Sequence, residues 1–256
     1  MLVFATAVNT LSDLFYKLEE QARPDLLMVR AGADFEHISA SQFAERIRRC
    51  AAALERLGIE RGDRVGLICS NCPDWHVIDF ACHLRGAILV PLFSTLTAAQ
   101  VRFTFADSGC KVVFIEGAHQ LEKIVSVRGD LPNLEGIILL SAGDVADESP
   151  ANEEQNEGAT SRSDGVFEEL IAAEEPAKDL PGPKDGDSVA TIIYTSGTTG
   201  EPKGVMLTHS NLISNVASSQ AMLTCRSTDV SMSVLPLCHI FQRMLDYTFF
   251  DVGAQI

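Results

Sequence analysis

The sequence lacks two features that would assign it to a membrane or to a nucleic acid. It contains no run of about 18 apolar residues, so no helix is expected to span a membrane. Basic residues are in the minority, because 35 aspartates and glutamates outnumber 20 lysines and arginines and leave a formal net charge of −15. Non-specific binding to nucleic acid is therefore excluded. The first residues also lack the basic stretch that begins a secretory signal peptide.

A complete set of cysteine and histidine metal ligands is missing too. The seven cysteines are an odd number scattered through apolar segments, which favours reduced thiols and a cytoplasmic location. Cys69 and Cys72 form a single C-x-x-C motif, which is typical of a redox pair or of half a zinc site. No second C-x-x-C motif completes a zinc site, and the histidines outside residues 235–243 are expected to be ordinary surface or half-buried residues.

The sequence around Gly197 and Lys203 also lacks the spacing of a P-loop. That motif needs G-x-x-x-x-G-K-[ST], whereas here Gly197 and Gly200 are three positions apart and Lys203 is followed by Gly204. The chain has instead the segment YTSGTTGEPKGV after an apolar, β-branched run at residues 189–193. Its hydroxyl groups can donate hydrogen bonds or bind a cation, its glycines let the backbone approach a ligand, and Lys203 adds a mobile positive charge. The segment predicts a loop that wraps phosphates; the alternative is a flexible surface linker. The six loop positions are Thr195, Ser196, Gly197, Thr198, Thr199 and Gly200.

Apolar runs that alternate with helical patterns predict an α/β fold. Strands are expected at residues 64–69, 87–91, 111–115, 136–140, 189–193, 205–209 and 230–235. Capping boxes at residues 39–42 and 97–100 predict two helix starts, and Pro73 predicts a third. Because the first strands are continuously apolar, we expect a mostly parallel sheet covered on both faces. Residues 205–209 are expected to close a hairpin that holds the phosphate loop at both ends.

Much of the negative charge is local. Fourteen acidic and three basic residues lie between residues 141 and 187. Within this stretch, residues 144–163 are almost without large apolar side chains and predict an exposed, mobile insertion. A solvated linker or a surface for a basic partner would both fit this composition.

YTSGTTGEPKGV resembles the phosphate-binding signature of the adenylate-forming (AMP-binding) enzymes, which include acyl-CoA synthetases, luciferases and peptide-synthetase adenylation domains. The resemblance extends over residues 11–256. It implies a multi-sheet α/β sandwich of the N-terminal domain type. It also implies that Thr195 to Gly200 hold the β- and γ-phosphates of ATP, that Thr195 is a ligand of Mg²⁺, and that Lys203 is a catalytic residue that neutralises the leaving pyrophosphate.

Residues 235–243 resemble a second motif of that family, in which a histidine past a strand lines the acyl pocket. His239 would be this catalytic residue; the alternative is a helix-capping histidine. The segment is most similar to long-chain acyl-CoA synthetases, and it places Arg243 near the mouth of a fatty-acid tunnel. The implied activity joins a long-chain fatty acid to ATP and then to coenzyme A. Adenylation of aryl or amino acids is the alternative within enzymes.

Later motifs of the family are absent from the 256 residues, including Tyr-Gly-x-Thr-Glu and the C-terminal catalytic lysine. We therefore expect residues 1–256 to be a partial N-terminal AMP-binding domain that is inactive alone, with no C-terminal domain. A non-catalytic nucleotide- or acyl-binding module, or a subunit completed by a separate C-terminal chain, is the alternative. Peripheral contact with a membrane would suit a fatty-acid substrate and stays open.

Overall fold

Strands that are apolar along their whole length form the centre of the protein. The computed structural model describes residues 8–140, 163–180, 182–195 and 201–256, so the predicted insertion at 144–163 lies outside the described residues except at its last position. An antiparallel hairpin consists of β1 (Leu27–Ala31) and β2 (Asp34–Ile38). The other described strands are β3 (Arg64–Ile68), β4 (Ile88–Pro91), β5 (Cys110–Glu116), β6 (Gly136–Leu140), β7 (Gly165–Val166), β8 (Val189–Thr195) and β9 (Lys203–Thr208).

These seven strands lie side by side in the order β7-β6-β5-β3-β4-β8-β9. Every neighbouring pair is parallel except β8 and β9, which are antiparallel. The predicted mostly parallel sheet is therefore confirmed. Because parallel strands end at the same edge, the segments that follow β3, β4, β5, β6 and β8 all leave the sheet on one side.

Helices cover both faces of this sheet. They are α1 (Leu11–Gln21), α2 (Ala40–Arg56), α3 (Pro73–Arg85), α4 (Ala98–Ser108), α5 (Gly117–Val127), α6 (Phe167–Ala172), α7 (His209–Met222) and α8 (Ile240–Val252). Val112 and Phe114 of β5 pack into the core under α1, α2, α3 and α8, whereas Val113 and Ile115 pack into the core under α4 and α5. A strand buried on both faces has no polar side, which explains the continuous apolar runs. Among the described residues, no helix has the length and apolarity needed to cross a membrane.

Local capping signals position the helices as predicted. The side chains of Ser39 and Thr97 accept hydrogen bonds from the backbone three residues on, and both capping boxes are complete. Pro73 occupies the first turn of α3, where its missing N–H leaves no hydrogen bond unmade. Gly109 ends α4 with a φ of 66°, in the left-handed region that favours glycine.

The strand predicted at residues 230–235 is wrong. Only Val230 forms a bridge, to Gln255, and the side chains of Met232 and Val234 are 80% and 67% exposed. Alternating apolar residues favour a strand, but a strand also needs a neighbour for its backbone groups. No described strand lies beside residues 231–235. The backbone N–H of Ser231 donates to the carbonyl of Gln255, and side chains bond Ser233 and Leu235, as described below.

Candidate nucleotide-binding hairpin and its supports

The predicted phosphate loop connects β8 to β9. Thr195, the last residue of β8, lies directly opposite Lys203, the first residue of β9, in the antiparallel register. Both side chains are exposed, and Lys203 forms no ion pair within the described part of the chain. The hairpin thus brings together a hydroxyl and a positive charge that are eight positions apart in sequence. Ser196, Gly197, Thr198, Thr199 and Gly200 lie outside the described residues.

Strand β8 is fixed to helix α4 one residue before the strand ends. The hydroxyl of Tyr194 donates a hydrogen bond to Oδ2 of Asp107 over 2.5 Å. Burial, together with this bond to a carboxylate, raises the pKa of Tyr194 above its ordinary value, so the phenol keeps the proton that it donates. Tyr194 pairs across the strands with Gly204. A Cβ at Gly204 would lie 2.9 Å from Cγ2 of Ile192 and 3.1 Å from Cζ of Tyr194, so the ring fits because residue 204 has no side chain.

His239 begins helix α8 and serves as its N-cap. Its Nδ1 accepts a hydrogen bond from the backbone N–H of Phe241 over 3.3 Å, and the backbone N–H of His239 donates to the carbonyl of Pro236. The capping role considered from the sequence is therefore present. The side chain is nevertheless exposed, and no described residue forms a hydrogen bond with Nε2. Capping through one ring nitrogen leaves the other for a ligand.

Arg243 does not lie at an exposed tunnel mouth, since its side chain is fully buried. Its guanidinium forms an ion pair with Asp79 of α3 and donates to the hydroxyl of Tyr247 over 2.7 Å. It also lies over the ring of Trp75, 5.3 Å from the centroid. A guanidinium can be buried at this position because a carboxylate, a phenol and an aromatic face compensate for its lost water.

One further bond of Arg243 links helix α8 to the phosphate hairpin. Nη1 of Arg243 donates to Oγ1 of Thr191 over 2.9 Å. Thr191 lies on β8, four residues before Thr195, and its own hydroxyl donates to the carbonyl of Leu89 on β4. Because Arg243 is one helical turn after His239, this contact connects the two predicted parts of the site.

The buried cluster of Asp79, His83, Arg243 and Tyr247 also shifts the acidity of its members. Burial alone would raise the pKa of Asp79, but the charge of Arg243 and the bond with His83 lower it below the ordinary value. Burial lowers the pKa of His83, in spite of the Asp79 carboxylate 2.9 Å away. The cluster therefore holds one carboxylate and one guanidinium with a neutral imidazole.

The sequence contained a signal for this cluster that went unused. Asp79 and His83 are four residues apart on α3, and Arg243 and Tyr247 are four apart on α8. Two polar pairs at helical spacing on otherwise apolar faces predict a buried polar contact between helices. His76, His83 and His209 are buried, so the expected surface or half-buried positions were wrong for these three.

Within the described ranges, no group of three or more His, Cys, Asp or Glu side chains could hold a metal ion. A cavity of about 460 Å³ lies between α2 and α6, and it contains none of the predicted site residues. Its charged lining residues are already paired with one another, as in the contacts of Arg46 with Glu168 and of Arg49 with Glu45.

A family model described as AMP-binding enzyme matches residues 18–256. Fatty acyl-CoA synthetase A of Dictyostelium discoideum is 32% identical over 96% of this chain and 37% of that protein. The peroxisomal long chain acyl-CoA synthetase 7 of Arabidopsis thaliana is 32% identical over 92% of this chain and 34% of that protein. The chain thus spans about a third of the length of these relatives. The solved structure of a Mycobacterium tuberculosis fatty acyl CoA synthetase has a TM-score of 0.78 at 24% identity, over 96% of this chain and 44% of that one, a likeness that bears on the fold.

Proposed function

The chain belongs to the AMP-binding enzyme family, and from that premise we propose that its protein activates a long-chain fatty acid with ATP and then transfers the acyl group to coenzyme A. In the first step, a carboxylate oxygen attacks the α-phosphate, the bond to the β-phosphate breaks, and pyrophosphate leaves. In the second step, the thiolate of coenzyme A attacks the acyl carbonyl and AMP leaves. Support comes from the relatives named above, which are fatty acyl-CoA and long chain acyl-CoA synthetases.

The observation that carries this proposal is the pairing of Thr195 with Lys203, the last residue of β8 with the first of β9. In the proposed site, residues 195–200 donate to the β- and γ-phosphates, and Lys203 neutralises the charge that collects on the leaving pyrophosphate. Lys203 is suited to this role because it is exposed and has no carboxylate partner in the described part of the chain. Catalysis by positioning and charge neutralisation needs no covalent step from the protein.

The residues present fit a magnesium ion that accompanies ATP and takes a single ligand from the protein. Mg²⁺ is commonly bound by one or two protein ligands together with substrate phosphates and water. The exposed hydroxyl of Thr195 would be the protein ligand here, and no cluster of acidic ligands competes for the ion among the described residues. When bound, the ion would neutralise phosphate charge.

In the proposed site, His239 binds the carboxylate of the fatty acid. Its Nε2 is available while Nδ1 caps α8, so the imidazole can donate a hydrogen bond to the carboxylate without leaving the helix. The seven free cysteines agree with the proposed cytoplasmic location. Contact with a membrane surface would bring the enzyme to its substrate.

Binding of magnesium pyrophosphate tests the hairpin. Calorimetric titration should give equal affinities for the 256-residue wild-type chain and for Lys178→Ala, which removes an exposed lysine elsewhere. Lys203→Ala should weaken binding on the order of tenfold, because a charge-assisted contact is lost. Equal binding by all three proteins would remove Lys203 from the site.

Exchange of labelled pyrophosphate into ATP tests acyl activation by the same chain. Exchange stimulated by palmitate would support the proposal and would overturn the expectation that these residues, which lack Tyr-Gly-x-Thr-Glu, are inactive alone. Stimulation by benzoate but not palmitate would replace the fatty acid by an aryl acid. Nucleotide binding without exchange for any acid is the result expected of a partial domain that is inactive alone, and a non-catalytic nucleotide-binding module would behave in the same way.

A further inference from the structure

The C-x-x-C motif begins at the carboxyl end of β3, in the same sheet as the β8–β9 hairpin. Cys69 follows the last residue of β3, and Cys72 is the N-cap of α3. Both are free thiols, and neither takes part in a metal-ligand cluster among the described residues. The loop between β3 and α3 is therefore held by noncovalent contacts alone, including a bond of 2.7 Å from the backbone N–H of Ser70 to Glu116.

Asn71, between the two cysteines, holds the segment that leads to His239. Its Nδ2 donates to the carbonyls of Ser233 and Leu235 over 3.1 and 2.8 Å. Its Oδ1 accepts from the backbone N–H of Leu237 over 2.9 Å. Residues 231–235 pair with no described strand, and their other printed backbone bonds run from the N–H of Ser231 to the carbonyl of Gln255 and from the N–H of Leu235 to Oε1 of Gln242. Asn71 is therefore the residue that ties this backbone to the loop between β3 and α3.

Cys72 differs in reactivity from Cys69, whose fully buried thiol has a pKa that burial raises well above its ordinary value. Cys72 is half-buried, and the hydrogen bond from the Cys69 thiol lowers the pKa of Cys72. A thiol at a helix N-terminus is also favoured as the thiolate, the form that attacks disulfides. Burial instead raises the pKa of the buried thiols of Cys110 and Cys238, to about 12 and about 11. An oxidant should therefore react first at Cys72.

We propose that Cys69 and Cys72 form a reversible disulfide. Its formation moves Asn71 and so releases residues 233–237, which lead to His239. The oxidant is a low-molecular-weight disulfide. The Cys72 thiolate attacks its S–S bond, forms a mixed disulfide and releases one thiolate, which takes up a proton. The Cys69 thiol then loses its proton, attacks the sulfur of Cys72 and displaces the second thiol, so two electrons from the cysteines reduce the oxidant.

Closure of this bond must change the loop. Both cysteines are free thiols, whose sulfurs do not lie at the roughly 2.05 Å of a disulfide bond, and the bond also needs a dihedral angle near 90°. Only Ser70 and Asn71 separate the cysteines, so their backbone absorbs the movement. The disulfide and the response of Asn71 are independent of the proposed function, whereas an effect on acyl activation rests on it.

The test compares the purified chain in reduced glutathione and in glutathione disulfide. Alkylation and peptide mass spectrometry should show a bond between Cys69 and Cys72 after oxidation, reversed by dithiothreitol. Hydrogen exchange at the Leu237 amide should become roughly tenfold faster on oxidation, because its acceptor on Asn71 moves away. Cys225→Ser, which removes another partly exposed thiol, should behave as the wild type in both measurements.

Two variants separate the bond from its consequence. Cys72→Ser should lose both the disulfide and the change in exchange. Asn71→Ala should form the disulfide but should show fast exchange at Leu237 already in the reduced state. A persistent glutathione adduct on Cys72, or no reaction there, would overturn the dithiol site. Equal exchange at Leu237 before and after oxidation would overturn the link to His239. Neither result depends on pyrophosphate binding, which tests the proposed function separately.

Discussion

Gly204 shows how closely the hairpin is fitted at the scale of single residues. We expect Gly204→Ala to destabilise the chain by about 1–3 kcal/mol, because the new Cβ meets Ile192 and the ring of Tyr194. Urea denaturation followed by circular dichroism measures this change. Gly129→Ala is the matched control, because its Cβ would have no neighbour within 4 Å, and its effect should stay within about 0.5 kcal/mol. Equal midpoints for both variants would mean that Tyr194 moves aside freely.

The sequence predicted a hairpin that holds the loop at both ends, and β8 and β9 form that hairpin, with Thr195 opposite Lys203. The same reasoning did not predict the partner of Tyr194. Asp107 lies 87 positions away on another helix, and no local pattern encodes that contact. The chemical groups of a site are thus evident from sequence, whereas the contacts that hold them depend on the packing of whole elements.

At the scale of helices and strands, a prediction from sequence was correct where the sequence signal acts locally. Capping boxes and the proline of α3 act within one turn of helix, and they placed helix starts correctly. Continuous apolar runs identified the strands of the buried sheet. Residues 230–235 carried an equally apolar pattern, but strand formation depends on a neighbour that the pattern does not specify.

The ion pair of Asp79 with Arg243 joins α3 to α8, and its removal should be strongly non-additive. Arg243→Met leaves a buried carboxylate without its cation, and we expect a loss of about 3–5 kcal/mol in the free energy of unfolding. Asp79→Leu should cost a similar amount. The double variant should cost clearly less than the two losses together, because neither charge is then left unpaired.

A double-mutant cycle from urea denaturation measures this coupling. Arg102→Met is the control, since Arg102 lies 4.0 Å from Asp130 and is 49% exposed, and its loss should stay within about 1 kcal/mol. Additive effects of Asp79→Leu and Arg243→Met would show that the cluster stabilises the chain through packing rather than through charge.

At the scale of the whole molecule, the fold was predictable because one rule governs it: apolar strands joined by helices give a parallel sheet with two covered faces. The TM-score of 0.78 to a solved synthetase confirms that α/β fold. Composition could not reveal that histidines lie in the core of a protein with a net charge of −15. Such groups link the stability of the entire chain to pH, since unfolding exposes them to water and to protons.

His209 should make the chain less stable as the pH falls from 7 to 5. Burial, with the nearby positive Arg243 and the ring of His83, lowers its pKa from 6.5 to about 3, against the opposing effect of Asp79. Between these values the unfolded chain binds a proton that the folded chain does not, so acidification favours unfolding. One such histidine should cost about 2 kcal/mol over this range, which lies above the ordinary pKa of carboxylates. The lowered pKa of His83 acts in the same direction.

His209→Asn isolates this contribution, because Oδ1 of asparagine can replace Nδ1 as the acceptor for the backbone N–H of Leu11 without titrating. Urea denaturation at several pH values should show a smaller loss of stability for this variant than for the wild type. His119→Gln changes an exposed histidine and should leave the pH dependence unaltered. If wild type and His209→Asn lost stability in parallel, the proton would enter the folded core without cost.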